Sequence, residues 1–118
     1  MKSHDRIPAY LWDMIDAINQ LQTCLEGKTY EDYLEEFLLQ KAIERLLEIL
    51  GEAARRIDRE FHVQHPEIDW AQIIGLRNVI AHQYDDLDLE QLWEILHTKL
   101  SPLHQELYNL LQQFDSPQ

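Results

Sequence analysis

Three side chains suited to work on a phosphate stand close together in the stretch Arg77-Asn78-Val79-Ile80-Ala81-His82-Gln83-Tyr84. Arg77 carries a permanent charge on a planar fork that can grip two phosphoryl oxygens at once. His82 has the side chain whose proton moves most readily near neutral pH. Tyr84 offers a phenolic hydroxyl, which is a donor, an acceptor and a possible point of modification. Asn78 lies one helical turn before His82, so on a helix the two share a face. Arg77 and His82 do not: on an ideal helix five residues set them about 140° apart. Both can act on one small target only if the helix ends near His82 and the imidazole swings back, or if two copies of the chain face each other and share the site.

The elements that must position this stretch can be read from the rest of the chain. With 118 residues, the chain is expected to form one domain, residues 1–118, with a core over about residues 7–112. No apolar run is long enough to span a bilayer. Met1 to Arg6 lead into no signal-peptide core, and the single cysteine, Cys24, suits a reducing compartment. The expected location is the cytoplasm.

A first helix is predicted from about Pro8, with Leu11, Ile15, Ile18, Leu21 and Leu25 on one face and Gly27 as its stop. Thr29 and Asp32 resemble a capping box opening a short helix to about Phe37. A long helix is predicted from about Leu38 to Phe61, with Ile43, Leu46, Leu50, Ala53, Ile57 and Phe61 as its core stripe. Asp69, with Gln72 three residues on, caps a fourth helix that runs into the motif; Trp70, Ile73 and Ile74 bury, and Gly75 allows a close helix approach. Asp88 is read as the cap of the last helix, which carries Leu89, Leu92, Leu96, Leu100, Leu103, Leu107, Leu110 and Phe114. Pro102 should kink or restart it. Residues 115–118 are a frayed tail. The predicted fold is therefore all-α, an antiparallel helical bundle of four principal helices and one short one.

The net charge of −12 weighs against a protein that coats nucleic acid, because such proteins are basic. Any role on a polyanion must rest on a few cations at a cleft; otherwise the acidic surface faces a basic partner. Four of the six arginines, Arg45, Arg55, Arg56 and Arg59, lie on the long helix among Glu44, Glu48, Glu52, Asp58 and Glu60. That interleaving reads as a solvated face, with Glu52 pairing Arg56 and with Arg55 and Arg59 the best placed to remain free. His62 and His65 stand three apart beside Pro66, without a further ligand pair at metal spacing, and read as solvated loop residues. Asp85, Asp86 and Asp88 read as helix-terminal acids rather than a divalent-metal site. No metal site is assigned.

The order of these landmarks resembles the HepT-like branch of the HEPN superfamily over about residues 7–112. The family pattern is Arg-x4-His-x-Tyr, which Arg77, His82 and Tyr84 match. Leu47-Glu48-Ile49-Leu50-Gly51-Glu52-Ala53-Ala54 resembles its third-helix signature. His65-Pro66-Glu67-Ile68-Asp69-Trp70 and Ile73-Ile74-Gly75-Leu76-Arg77-Asn78 resemble the approach to its motif, and Asp88-Leu89-Glu90 with Trp93 the start of its last helix. The resemblance implies a metal-independent ribonuclease toxin of a toxin–antitoxin pair, acting as a homodimer with the motifs of two protomers in one cleft. It implies Arg77 and His82 as catalytic residues and Asn78 as a weaker, supporting position. It implies silencing by a minimal nucleotidyltransferase antitoxin (MntA-type) that transfers AMP to Tyr84. ATP and magnesium would be used by that partner, and this chain would need no cofactor. Two other readings stay open on the residues alone: a non-catalytic helical module that docks a nucleotidyltransferase, and a nucleotide-binding protein with Arg77 on a phosphate.

Overall fold

In the computed structural model the backbone is described for residues 6–81 and 86–115, and the side chains for all of these except 77–81, 86–88 and 115. The described elements are all helical: α1 (Ile7–Leu25), α2 (Tyr30–Glu35), α3 (Phe37–Arg56), α4 (Arg59–Gln64), α5 (Trp70–Ala81), α6 (Asp86–Thr98) and α7 (Leu100–Asp115). The fold class read from the sequence is the one observed.

Helix α1 buries Leu11, Met14, Ile15, Ile18, Leu21 and Leu25 against α3 and α7, the periodic face that the sequence displays. It stops before Gly27, whose φ of 72° is open to glycine at little cost. Gln22 on the last turn of α1 donates to the Ser101 hydroxyl at the start of α7, at 3.2 Å, so these two helices run antiparallel. The capping box of α2 is complete: the Thr29 hydroxyl accepts from the Asp32 amide, and the Asp32 carboxylate accepts from the Thr29 amide.

The long second half of the predicted core helix is broken. α3 ends at Arg56, Ile57 is extended with ψ of 133°, and the Asp58 carboxylate accepts from the Phe61 amide at 2.9 Å to open α4. Asp58 acts as an N-cap, not as a solvated charge in mid-helix. The break leaves the stripe intact, since Ile57 and Phe61 are both buried.

The last helix also divides, at Lys99. Pro102 sits in the first turn of α7 and has no amide to give to Thr98, while the Leu103 amide still reaches the Lys99 carbonyl at 3.1 Å. Leu92, Leu96, Leu100, Leu107 and Leu110 are buried as the spacing predicts, but Phe114 is 42 % exposed and only leans on Phe61. α6 already begins at Asp86, so the backbone of Asp88 lies inside the helix and not at the cap position expected of it. No described helix is long and apolar enough to cross a membrane.

Candidate active site

The motif straddles the end of α5. Arg77 and Asn78 belong to α5, while His82 and Tyr84 lie outside the described residues, between Ala81 and Asp86. What the fold contributes is the fixing of the two helices that bracket them.

The start of α5 is fixed by a cap and an aromatic cluster. The Asp69 carboxylate accepts from the Gln72 amide at 3.0 Å, the cap that the sequence predicts. Trp70 is buried, its indole N–H donates to the His65 carbonyl at 3.0 Å, and its ring stacks on His62 at 4.4 Å. His62 Nε2 lies 3.0 Å from the Ala54 carbonyl oxygen, so that nitrogen carries the proton. His65 packs on Phe61 at 4.3 Å and lies 3.4 Å from Glu67. The two histidines are therefore half-buried packing residues joining α3, α4 and α5, and not the solvated pair that their loop-like surroundings imply. The Trp70 ring covers His62, and the Phe61 ring covers His65.

The middle of α5 is fixed by a backbone contact. A Cβ at Gly51 on α3 would come within 3.3 Å of the Ile73 carbonyl and 3.7 Å of the Ile74 carbonyl. Gly51 is thus the residue that lets α3 and α5 approach. A Cβ at Gly75 would meet nothing within 4 Å among the described residues, and the close approach expected of Gly75 is seen at Gly51. Arg77 lies one turn beyond Ile73 and Asn78 one turn beyond Ile74, so this crossing sets the backbone position of both. The signal in the sequence is a glycine in mid-helix, which costs about 1 kcal/mol relative to alanine and so marks a place where a side chain cannot fit.

On the far side, α6 is tied to α2. Trp93 stacks on Tyr33 at 5.4 Å and meets Tyr30 at 5.8 Å, and His97 closes on Trp93 at 4.4 Å. Burial pushes the Tyr33 phenol up to about 12, and the Glu44 carboxylate acts in the same direction. Tyr33 is accordingly a packing residue at neutral pH, and with Trp93 it holds the middle of α6 against the bundle.

The arginines of α3 are mostly committed. Arg55 and Arg56 both grip Glu52, at 2.7 and 3.0 Å, and their hydrogen bonds hold its carboxyl down to about 2. Arg45 pairs with Glu48 at 3.4 Å. The Glu52–Arg56 pair is the expected one, but Arg55 is not free, because i,i+3 spacing lets the same carboxylate hold both guanidinium groups. Arg59 is exposed and makes no ion pair among the described residues. A basic edge along α3 is thus largely neutralised within the helix.

Two of the clefts among the described residues are lined by charged side chains. One of about 320 Å³ is lined by Glu67, Asp69, Gln72, Lys99 and Glu106. The other, of about 210 Å³, lies between α1 and α3 beside Tyr10, Asp13, Arg45 and Arg56. Among the described residues no group of three or more His, Cys, Asp or Glu side chains is arranged to hold a metal ion. Asp85, Asp86 and Asp88 fall outside the side chains described.

Comparison with known proteins adds a consistent set of relatives. The sequence model of a family described as "Ribonuclease HepT-like" matches residues 14–110, which include the whole of the Arg77–Tyr84 stretch. The chain is 33% identical over 94 residues to "Probable ribonuclease HepT" of Thermococcus cleftensis, covering 80% of this chain and 86% of that protein. It is 29% identical over 101 residues to "Putative RNase MJ1380" of Methanocaldococcus jannaschii, covering 86% and 93% of the two chains. It is 28% identical over 103 residues to "Putative RNase TTE0752" of Caldanaerobacter subterraneus subsp. tengcongensis, covering 87% and 92%. No solved structure matches.

Proposed function

Because the chain belongs to the HepT-like ribonuclease family, we propose that it is an endoribonuclease that cuts RNA without a metal ion, at a cleft where the motifs of two protomers meet. One observation carries this reading: the span matched by the family model, residues 14–110, takes in Arg77, His82 and Tyr84, the residues whose chemistry suits the reaction. RNA supplies its own nucleophile. The 2′-hydroxyl attacks the adjacent phosphorus, the bond to the 5′-oxygen of the next nucleotide breaks, and the products are a 2′,3′-cyclic phosphate and a 5′-hydroxyl. His82 moves the protons. Arg77 holds the charge that builds on the phosphoryl oxygens. Asn78, one turn from His82, supports the bound strand.

The activity is that of a toxin held in check by a minimal nucleotidyltransferase antitoxin, which transfers AMP from ATP to the Tyr84 hydroxyl. The adduct places a phosphodiester charge and an adenosine where RNA must enter. ATP and magnesium belong to the partner's reaction. A second reading is favoured by the pairing of Arg45, Arg55 and Arg56 with glutamates, which leaves α3 little positive surface for RNA. On that reading the chain is a helical module that docks a nucleotidyltransferase, or binds a nucleotide, without cutting.

Cleavage of RNA in EDTA by the purified, unmodified protein separates the two. Arg77→Ala and His82→Ala should each lower the rate about 10²-fold or more, the scale of losing a charge stabiliser or an acid–base group. Full activity in either variant removes that residue from the mechanism. The absence of any cleavage by the parent protein favours the docking module.

A further inference from the structure

The surface where α2 meets α3 is built unlike the rest of the exterior. Leu34, Phe37 and Leu38 are 43, 65 and 80 % exposed and nearly consecutive in the chain. Contiguous apolar side chains at that exposure are uncommon on a free surface and mark a contact site. Their display is rigid. Glu36 alone joins the two helices, its amide donating to the Asp32 carbonyl at 2.8 Å. The Gln40 side-chain amide donates to both the Tyr33 and Leu34 carbonyls, at 2.8 and 3.0 Å, and locks the end of α2 onto the first turns of α3. Lys28 bridges to Glu36 at 2.9 Å, and Lys41 lies 5.3 Å from the centre of the Phe37 ring.

Charge decides what such a surface can receive. Glu26, Glu31, Asp32, Glu35 and Glu36 lie on α2 or flank it, against the single cation Lys28, which is spent on Glu36. On the α3 side Lys41 is engaged by Glu44 at 3.5 Å. RNA and anionic lipid would be repelled by this rim. A second copy docking the same patch on itself would bring two identical sets of carboxylates together. We infer that the Leu34–Phe37–Leu38 surface docks a protein partner that presents large apolar side chains flanked by lysine or arginine. Phe37 and Leu38 are the anchors, and Glu31 and Glu35 steer the basic flanks.

The surface contains none of the motif residues, so its role stands apart from the nuclease reading. The test is calorimetric titration with a short helical peptide of leucine and lysine, alongside counterparts with glutamate for lysine and serine for leucine. The leucine–lysine peptide should bind and both counterparts should not. Phe37→Ser and Leu38→Ser should each weaken binding about tenfold or more, the scale of losing an interface anchor. Glu31→Gln with Glu35→Gln should weaken it and flatten its salt dependence. Both positions are exposed, and circular dichroism verifies that the variants keep their helices. Val63→Ser, at another exposed apolar residue, should change nothing. His82→Ala should leave peptide binding intact whatever it does to RNA, so failure of docking and failure of the nuclease reading are told apart. Three results overturn the inference: equal binding of the glutamate peptide, equal loss in Val63→Ser, or a native oligomer that Phe37→Ser converts to monomer, which would make a second copy the occupant.

Discussion

Tyr33 is the described residue whose protonation most directly concerns the frame of the site. Its folded pKa is raised, chiefly by burial, from 10.0 to about 12. A raised value means that the contribution of the neutral phenol to stability is complete below pH 10 and is lost as pH climbs towards 12. One oxygen of Glu44 is buried without a hydrogen-bond partner among the described residues, and this carboxylate adds to the cost of a phenolate nearby. Alkaline unfolding followed by circular dichroism should begin within that window, and Tyr33→Phe should move it upwards. An unchanged alkaline limb in Tyr33→Phe would show that another group sets it. Tyr84 is the tyrosine on which the proposed switch rests. Incubation with the partner nucleotidyltransferase, ATP and magnesium should add the mass of AMP to the peptide carrying Tyr84 and abolish cleavage while the helical signal persists. Addition only at Tyr10, Tyr30, Tyr33 or Tyr108 would sink the proposed switch and leave the nuclease standing.

At the scale of elements, the position of α5 rests on two very different contacts: the Trp70 cluster at its start and the Gly51 crossing at its middle. The crossing is the more exacting of the two, because the neighbours of a new Cβ would be backbone carbonyls that cannot rotate away. Gly51→Val should therefore lower stability by about 1–3 kcal/mol, the usual cost of overpacking, as read from urea denaturation. Gly75→Ala, whose Cβ would meet no described atom within 4 Å, should be neutral or stabilise by up to about 1 kcal/mol through helix propensity. The reverse order of the two variants would show that α3 and α5 do not cross as described. Gly51→Ala should give little net change in stability, since propensity offsets the tight contact. It should nonetheless lower RNA cleavage, because shifting α5 shifts the backbone that carries Arg77.

For the whole molecule the leading question is how many copies make one site. On an ideal helix Arg77 and His82 diverge by about 140°, and the proposed cleft between two protomers would bring the arginine of one towards the histidine of the other. Light scattering at micromolar concentration should return a dimer. Mixing Arg77→Ala with His82→Ala protein should restore part of the cleavage that each lacks, since a mixed dimer then holds one complete site. A monomer of 14.1 kDa, or no rescue on mixing, would end the shared-site model. The net charge of −12 bears on the same scale, since it confines any RNA contact to local cations and favours partners with basic surfaces.

The sequence alone determined the all-helical class, the capping at Thr29 and Asp69, the stripe from Ile43 to Phe61 and the Arg77–Tyr84 stretch that pointed to the family, but not the breaks at Ile57 and Lys99. These features depend on residues within one or two turns of each other, so short-range periodicity and hydrogen bonding carry them. Tertiary structure decided which of several equivalent residues does the work. Gly51 and Gly75 are alike in sequence, and only the crossing of α3 with α5 selects Gly51. Asp58 reads as one more surface acid until the chain turns at Ile57 and makes it a cap. His62 and His65 read as loop residues until Trp70, from the next helix, closes on them. In each case the deciding partner is one that periodicity within a helix cannot specify, because it is supplied by the way the helices pack or by where the chain breaks between them.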